Sequence, residues 1–259
     1  MQKDLTQEGY VKTTSHENGI TNIEFFHPSH NSLPGKILAE LAGAIKAAGK
    51  DDNTKVIMLS SGGDRTFCAG ASFDELISIA DFDTGKKFFM GFANVINACR
   101  TCGKIVVGRV QGKTVGGGVG VAAATDYCMA TKYASVRLSE LAIGIGPFVV
   151  GPAVQRKVGL SAMSQMSLNP DEWQTAEWAK GKGLFTEVFE STEQLDEYLA
   201  VFTKKLAGYN PEALAELKRI FWEGTENWDG LLEERAAISG QLVLSDFTRE
   251  AITAFKTKK

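Results

Sequence analysis

The sequence is poor in the residues that bind metals or build disulfide frameworks. It has three histidines, all between residues 16 and 30, and four cysteines among 259 residues. Cys99 and Cys102 form a C-x-x-C pair, but a zinc site requires a second pair and a redox motif requires a thioredoxin-like setting. We therefore expect no metal site and ordinary reduced thiols, as in the cytoplasm.

Basic clusters and long apolar segments are also missing. The net charge is −3, which argues against nucleic acid as a partner because phosphate binding requires clustered Lys and Arg. No run of about 18 apolar residues could span a membrane. The N-terminal MQKDLTQEGY lacks the apolar segment of a secretory signal. We expect a cytoplasmic protein with neither nucleic acid nor membrane as a partner.

What the sequence does contain is an alternation of strand and helix patterns. Alternating apolar residues predict a hairpin of strands 10–16 and 20–26. Further predicted strands are 56–61, 105–110, 127–131, 135–138 and 184–189, and predicted helices are 35–49, 73–80 and 84–100. This alternation indicates an α/β core over residues 1–190. Residues 191–259 read as amphipathic helices, a pattern that suits a separate packing layer or an oligomer contact.

The stretch at 108–123, GRVQGKTVGGGVGVAA, is compatible with three kinds of anion site. A P-loop needs four residues between its first Gly and the Gly-Lys-Ser/Thr, and here three residues separate Gly108 from 112–114. A dinucleotide fingerprint fits 118–123, but seven residues separate it from the strand that it should follow. Glycines before a helix can also form an oxyanion site, because their N–H groups approach a ligand closely. A tight turn without a ligand explains the glycines equally well.

Three motifs distinguish these interpretations. Residues 62–76, GGDRTFCAGASFDEL, resemble the F-x-A-G-A-D-x-x-x-[LM] loop of the crotonase (enoyl-CoA hydratase/isomerase) superfamily. The stretch 110–131, VQGKTVGGGVGVAAATDYCMAT, resembles its V-x-G-x-x-x-G-G-G-x-x-L-x-x-x-x-D segment. SELAIGIGP at 139–147 resembles its x-E-x-x-L-G-I-x-P segment. The motifs occur in the family's order, and the resemblance covers nearly the whole chain.

The resemblance implies a fold and a class of substrate. The fold is the α/β crotonase (ClpP-like) spiral of repeated ββα units, followed by a helical C-terminal region that assembles trimers or dimers of trimers. The substrate is an acyl-CoA thioester, as in fatty-acid metabolism. Coenzyme A is then part of the substrate, and no separate cofactor is expected.

The resemblance also implies roles for particular residues. The backbone N–H groups of Ala71 and Gly117 would hold the thioester oxygen, where two fixed donors stabilise an enolate anion. Glu140 would be the acid/base, with a pKa raised by its apolar surroundings. The implied substrate and CoA contacts are Ala69, Gly70, Ser72, Phe73 and Gly116, with Arg65 and a C-terminal lysine such as Lys256 or Lys258 at the CoA phosphates. The basic residues could equally be solvated surface charges.

One position departs from the family pattern. Hydratases typically carry a first glutamate three residues after the middle glycine, where this chain has Gly120. Ser139 and Asp74 are possible substitutes for the missing carboxylate, and Asp126 is expected to orient the fold. The glycine at 120 and the PFVV segment at 147–150 also resemble a branch of bacterial hydratases that act on branched glutaconyl-CoA substrates.

We therefore expect hydration of a 2-enoyl-CoA, with a branched acyl chain as the more specific expectation. The alternative is isomerisation of a 3-enoyl-CoA to a 2-enoyl-CoA, which a single base can perform. Decarboxylation and thioester hydrolysis share the same oxyanion site. A catalytically silent acyl-CoA-binding protein and an NAD-dependent oxidoreductase are alternatives from other classes.

Overall fold

The computed structural model describes the backbone of residues 8–257 and the side chains of residues 8–254. Its strands, in chain order, are β1 (Tyr10–Ser15), β2 (Ile20–Phe26), β3 (Ser32–Leu33), β4 (Val56–Ser61), β5 (Thr66–Cys68), β6 (Gly70–Ala71), β7 (Ile105–Val110), β8 (Lys113–Val115), β9 (Tyr127–Thr131), β10 (Ser135–Arg137), β11 (Gln174–Thr175) and β12 (Glu187–Phe189).

Helices separate and cover the strands. They are α1 (Gly35–Lys50), α2 (Phe73–Ser78), α3 (Phe82–Thr101), α4 (Gly117–Ala123), α5 (Gly151–Leu168), α6 (Ala176–Gly181), α7 (Thr192–Ala207), α8 (Pro211–Phe221), α9 (Trp228–Leu242) and α10 (Asp246–Thr257), with one 3₁₀ helix at Glu140–Ile143. Among the described residues, no helix is long and apolar enough to cross a membrane.

The strands form one large sheet and two smaller ones. The six-stranded sheet has the order β1-β2-β4-β7-β9-β12, and every pair except the β1–β2 hairpin is parallel. A four-stranded sheet has the order β11-β10-β8-β5, and β3 pairs with β6. Strands β5, β6 and β8 each follow closely in the chain on a strand of the six-stranded sheet or on one another. The two smaller sheets therefore carry the loops that build the site.

Apolar clusters cover both faces of the parallel strands in the six-stranded sheet, as such strands require. On one face, Ile23, Phe25 and Leu59 join a large apolar core with α1, α3 and α9. On the other face, Val56 and Val107 pack in a second apolar cluster with α7 and α8. Helix α9 packs along α3, so a helix of the C-terminal region supports a helix of the central core.

Most predicted elements are confirmed, with several boundaries shifted by one or two residues. The predicted hairpin forms, with Gly19 at φ 84° and its N–H donating to the His16 carbonyl. Helix α3 begins at Phe82 rather than 84, because the Asp81 side chain accepts the Thr84 N–H as an N-cap. Helix α2 ends at Ser78 instead of 80.

The strand predicted over 184–189 is shorter than the sequence indicates. Only Glu187–Phe189 form β12. The N–H groups of Leu184 and Phe185 donate instead to the carbonyl of Ala179, which places these residues in the turn after α6. Leu184 and Phe185 are therefore apolar because they are buried in the core, and not because they form a strand.

Asp126 connects the sheet to the C-terminal helices. Its carboxylate accepts hydrogen bonds from the Val106 N–H at 2.7 Å, from Lys218 Nζ at 2.6 Å and from Trp222 Nε1 at 2.7 Å. The side chains of Asp126 and Lys218 are both 2% exposed. The prediction that Asp126 orients the fold is confirmed.

Candidate active site

A narrow, mainly apolar cavity lies where the loops after β5 and β8 meet the 3₁₀ helix. Its volume is about 60 Å³. The residues that line it are Ala69, Gly70, Ala71, Phe73, Leu76, Phe89, Phe92, Val115, Gly116, Gly117, Ser139, Glu140, Ile143, Gly146, Pro147, Phe148, Val149, Val150 and Ser239. Seven of the ten residues that the sequence assigned to the site are therefore brought together.

The first wall is built by β6, which holds Ala71 in an extended conformation beside β3. The Ser72 N–H donates to the Leu33 carbonyl at 3.1 Å. Successive N–H groups of an extended strand point to opposite sides, so the Ala71 N–H points away from β3. Gly70 adopts φ 84°, and a side chain there would lie 3.5 Å from the Gly117 nitrogen. The absence of a side chain at Gly70 thus lets the two backbone segments approach each other.

The second wall is the start of α4. Gly117 is the first residue of this helix, and first-turn N–H groups have no partner within the helix. Gly116 precedes it at φ 52°, with its N–H donating to the Arg137 carbonyl at 2.8 Å. A side chain on Gly117 would overlap the ring of Phe92. Gly117 therefore borders the same cavity as Ala71.

Glu140 is the acidic residue of the site. It opens the 3₁₀ helix, and its Oε1 lies 2.9 Å from the place that a side-chain carbon on Gly116 would occupy. Its Oε2 is buried and has no hydrogen-bond partner among the described residues. Burial raises the pKa of the carboxyl to about 7, although the nearby charge of Arg137 acts in the opposite direction. The expectation of a raised pKa is confirmed.

At position 120, where the family pattern has a glutamate, Val150 occupies the space beside the glycine. A side chain on Gly120 would overlap Val150, the residue just before α5. Helix α4 therefore packs closely against Val150, which lines the cavity in its place. Within the described part of the chain, Glu140 is the one carboxylate that lines the cavity, and the remaining polar side chains are Ser139 and Ser239. Asp74, considered from the sequence, is not among the lining residues.

Two of the assigned residues that the structure describes do not line the cavity. Ser72 is buried and caps α2, accepting the Glu75 N–H. Arg65 is exposed in the loop before β5, and its backbone carbonyl accepts the Lys113 N–H. The side chains of Lys256 and Lys258 lie outside the described residues.

Several lining residues were not found from the sequence. Ser239 comes from α9, and the rings of Phe89, Phe92 and Phe148 form much of the apolar wall. Phenylalanines in a helix pattern indicate a core, and nothing in such a pattern distinguishes a core from the wall of a site. Ser239 is 1% exposed and lies among apolar residues of its helix face, where a small hydroxyl gives no pattern of its own.

The structure also decides among the interpretations of the glycine-rich stretch. A dinucleotide fold requires the glycines directly after the strand, at the start of its crossover helix. Here β8 lies between β7 and α4 and belongs to a different sheet. Gly116 and Gly117 border the cavity that holds Glu140. The dinucleotide interpretation is therefore wrong, and the oxyanion site stays a prediction.

Comparison with known proteins agrees with this geometry. A family model described as enoyl-CoA hydratase/isomerase matches residues 15–259. The peroxisomal Delta(3,5)-Delta(2,4)-dienoyl-CoA isomerase of Arabidopsis thaliana is 26% identical, over 98% of each chain. The 2,3-dehydroadipyl-CoA hydratase of Escherichia coli is 29% identical, over 89% of each chain. The crystal structure of an enoyl-CoA hydratase from Bacillus halodurans superposes with a TM-score of 0.87 at 22% identity, covering 95% of this chain and 99% of that one.

Proposed function

Because the chain belongs to the enoyl-CoA hydratase/isomerase family, we propose that it adds water across the double bond of a 2-enoyl-CoA, with Glu140 as the acid/base. The observation that carries the proposal is the Glu140 carboxylate, which is buried beside the Gly116–Gly117 turn with one oxygen unpartnered. A carboxylate oxygen left without a hydrogen-bond partner in a mainly apolar cavity is costly for folding alone. Such a cost is typical of a site that performs chemistry.

The thioester oxygen is placed between the N–H groups of Ala71 and Gly117. Addition of the water oxygen to C3, or removal of a proton from C2 in isomerisation, develops negative charge on this oxygen. Two backbone donors that are fixed before the substrate arrives stabilise that charge without reorganisation, and one such donor typically contributes about 3 kcal/mol to transition-state stabilisation. The role of these two residues needs only their backbone, which agrees with the small side chains present.

Glu140 moves the proton. Its pKa of about 7 allows both protonation states near neutral pH, and catalysis by proton transfer is most efficient when the pKa lies near the working pH. In hydration, the ionised carboxylate accepts a proton from water as the oxygen bonds to C3, and the acid then returns a proton to C2. Ser139 and Ser239 supply the hydroxyl groups that could hold this water.

Isomerisation is the second candidate, and a specific observation favours it. Val150 occupies the space next to Gly120, so the described cavity has a single carboxylate. One base can remove a proton from C2 of a 3-enoyl-CoA and return it at C4. The relatives include proteins named for each activity, a hydratase and an isomerase.

The ultraviolet absorbance of the conjugated enoyl thioester tests both candidates. We expect the purified protein to consume the absorbance of a 2-enoyl-CoA, and the Glu140→Gln variant to lose this activity. An increase in absorbance from a 3-enoyl-CoA, with no loss from the 2-enoyl-CoA, would establish isomerisation instead. No change with either substrate, at several chain lengths, would contradict the proposed function.

A further inference from the structure

A second cavity adjoins the narrow one and is much larger, about 680 Å³. Pro147 and Phe148 line both cavities, so the half-buried ring of Phe148 stands between them. The narrow cavity holds the groups proposed to act on C2 and C3. An acyl chain that continues beyond the reacting carbons has room past Phe148, in the second cavity.

The second cavity carries positive charge. Its charged lining residues are Arg156 and Arg235, and no acidic residue is among the described residues that line it. The other lining groups are mostly apolar or neutral: Pro147, Phe148, Gly151, Pro152, Gln155, Met163, Ser167, Trp228 and Leu231. A space with apolar walls and cations at one side fits a hydrocarbon chain that ends in an anion.

The two arginines differ in their partners. The guanidinium of Arg156 donates to the Phe221 carbonyl and lies over the ring of Trp222. The guanidinium of Arg235 has no hydrogen bond, ion pair or ring contact with any residue in the described part of the chain. Arg235 is partly buried, so its charge is only partly hydrated. Its five N–H donors are available to a ligand in the second cavity.

Helix α9 connects Arg235 to the reaction cavity. Ser239 lines the narrow cavity, and Arg235 lies one turn earlier on the same face of the helix. The Ser239 hydroxyl donates to the Arg235 carbonyl at 3.2 Å. Residues four apart on a helix are neighbours, so an acyl chain that passes Ser239 arrives within reach of the Arg235 side chain.

We infer that Arg235 binds the terminal carboxylate of a dicarboxylic acyl-CoA and makes the protein selective for such substrates. The inference rests on the proposed acyl-CoA function and adds the chemical class of the acyl chain. Guanidinium and carboxylate pair through two parallel hydrogen bonds, which fix the far end of the chain. Phe148 then separates the apolar middle of the chain from the reacting carbons.

Binding of saturated acyl-CoA thioesters tests the inference without any turnover. Glutaryl-CoA and valeryl-CoA have acyl chains of equal length and differ in the terminal carboxylate, as do adipyl-CoA and hexanoyl-CoA. By isothermal titration calorimetry, we expect the dicarboxylic member of at least one pair to bind about tenfold or more tightly, as expected for a hydrogen bond to a charged group. Arg235→Met should reduce the preference to within about twofold, and Arg235→Lys should retain part of it.

Turnover provides a second measurement. With glutaconyl-CoA, Arg235→Met should lower kcat/KM about 10- to 100-fold, whereas with 2-pentenoyl-CoA the change should stay within about twofold. Arg219→Met is the matched control, because Arg219 is exposed, pairs with Glu216 and Glu223, and lines neither cavity. Equal unfolding midpoints and sedimentation coefficients would show that Arg235→Met keeps the native assembly.

The outcomes separate the two proposals. Equal binding within both pairs by the unmodified protein, or an unchanged preference in Arg235→Met, would overturn the role of Arg235. A dicarboxylate preference that Arg235→Met abolishes, combined with no turnover of any enoyl-CoA, would support the role of Arg235 and contradict the proposed hydratase activity.

Discussion

The carboxylates of Asp126 and Glu140 are both buried, but they differ in their hydrogen-bond partners. Asp126 is held by a backbone N–H, by Lys218 and by the indole of Trp222. Glu140 lies against bare glycine backbone, and its Oε2 has no partner among the described residues. The first group is satisfied and joins the sheet to helix α8. The second is unsatisfied and faces a cavity.

The difference shows that burial alone does not identify a functional carboxylate. Buried charges in a stable core are paired and hydrogen-bonded, as Asp126 is. A buried carboxylate with an unpartnered oxygen decreases stability, and its retention is explained by chemistry and not by folding. Four experiments test this contrast.

Glu140→Gln should cause the largest change, in activity. Removing the acid/base should lower kcat about 10²- to 10⁴-fold, while the amide keeps the shape of the side chain. Steady-state turnover of the preferred enoyl-CoA measures the loss. A circular dichroism spectrum and an unfolding midpoint at or above those of the unmodified protein would show that the fold is intact, and near-full turnover would remove Glu140 from the mechanism.

Asp126→Asn should cause the next largest change, in stability. It leaves the buried Lys218 ammonium without its counter-charge, a loss that typically costs about 3–5 kcal/mol. Urea denaturation measures the free energy of unfolding. Lys218→Met should be similarly harmful alone, and the double variant Asp126→Leu/Lys218→Met should recover much of the loss. A loss under about 1 kcal/mol for Asp126→Asn would mean that the pair does not hold the fold.

The pH dependence of stability distinguishes Glu140 from other carboxylates. Its folded-state pKa is raised from 4.5 to about 7, so the folded protein binds more protons than the unfolded chain between these values. Stability is therefore lost as pH rises from about 4.5 through 7, by roughly 3 kcal/mol in all. Glu140→Gln should not show this loss, and the free energy of unfolding of the two proteins should diverge over this pH range. Parallel curves would contradict the raised pKa.

Gly120→Ala should have the smallest effect, again on stability. The added methyl overlaps Val150, and such overpacking typically costs about 1–3 kcal/mol. Val150→Ala in the same chain should relieve most of the loss. Gly43→Ala is the control, because a side chain there meets nothing within 4 Å, and it should be neutral or stabilising in helix α1. A neutral Gly120→Ala would show that the cavity can accept a side chain at this position.

The parts of the site that the sequence predicted lie in continuous motifs. Ala71, Gly117 and Glu140 each belong to a short segment whose loop and helix start are defined locally, by glycines at positive φ or at a helix N-terminus. The hairpin at Gly19 was predictable for the same reason. The hairpin followed from local sequence alone. The three site residues were assigned through the resemblance of these continuous motifs to a family.

The parts that it missed depend on contacts between distant segments. Val150 meets Gly120 thirty residues away, and Ser239 reaches the cavity only because α9 packs along α3. Arg235 has the pattern of an ordinary surface residue on an amphipathic helix. Tertiary packing brings these residues to the site. No periodicity or spacing within their own segments predicts that contact.

The contact between Glu140 and Gly116 has a consequence for how this site can vary among descendants of one ancestor. The carboxylate rests where a side-chain carbon on residue 116 would be, at 2.9 Å. Any gain of a side chain at 116 would displace the carboxylate, and a shorter acid at 140 would leave the glycine exposed to solvent. We therefore expect the residues at positions 116 and 140 to change together.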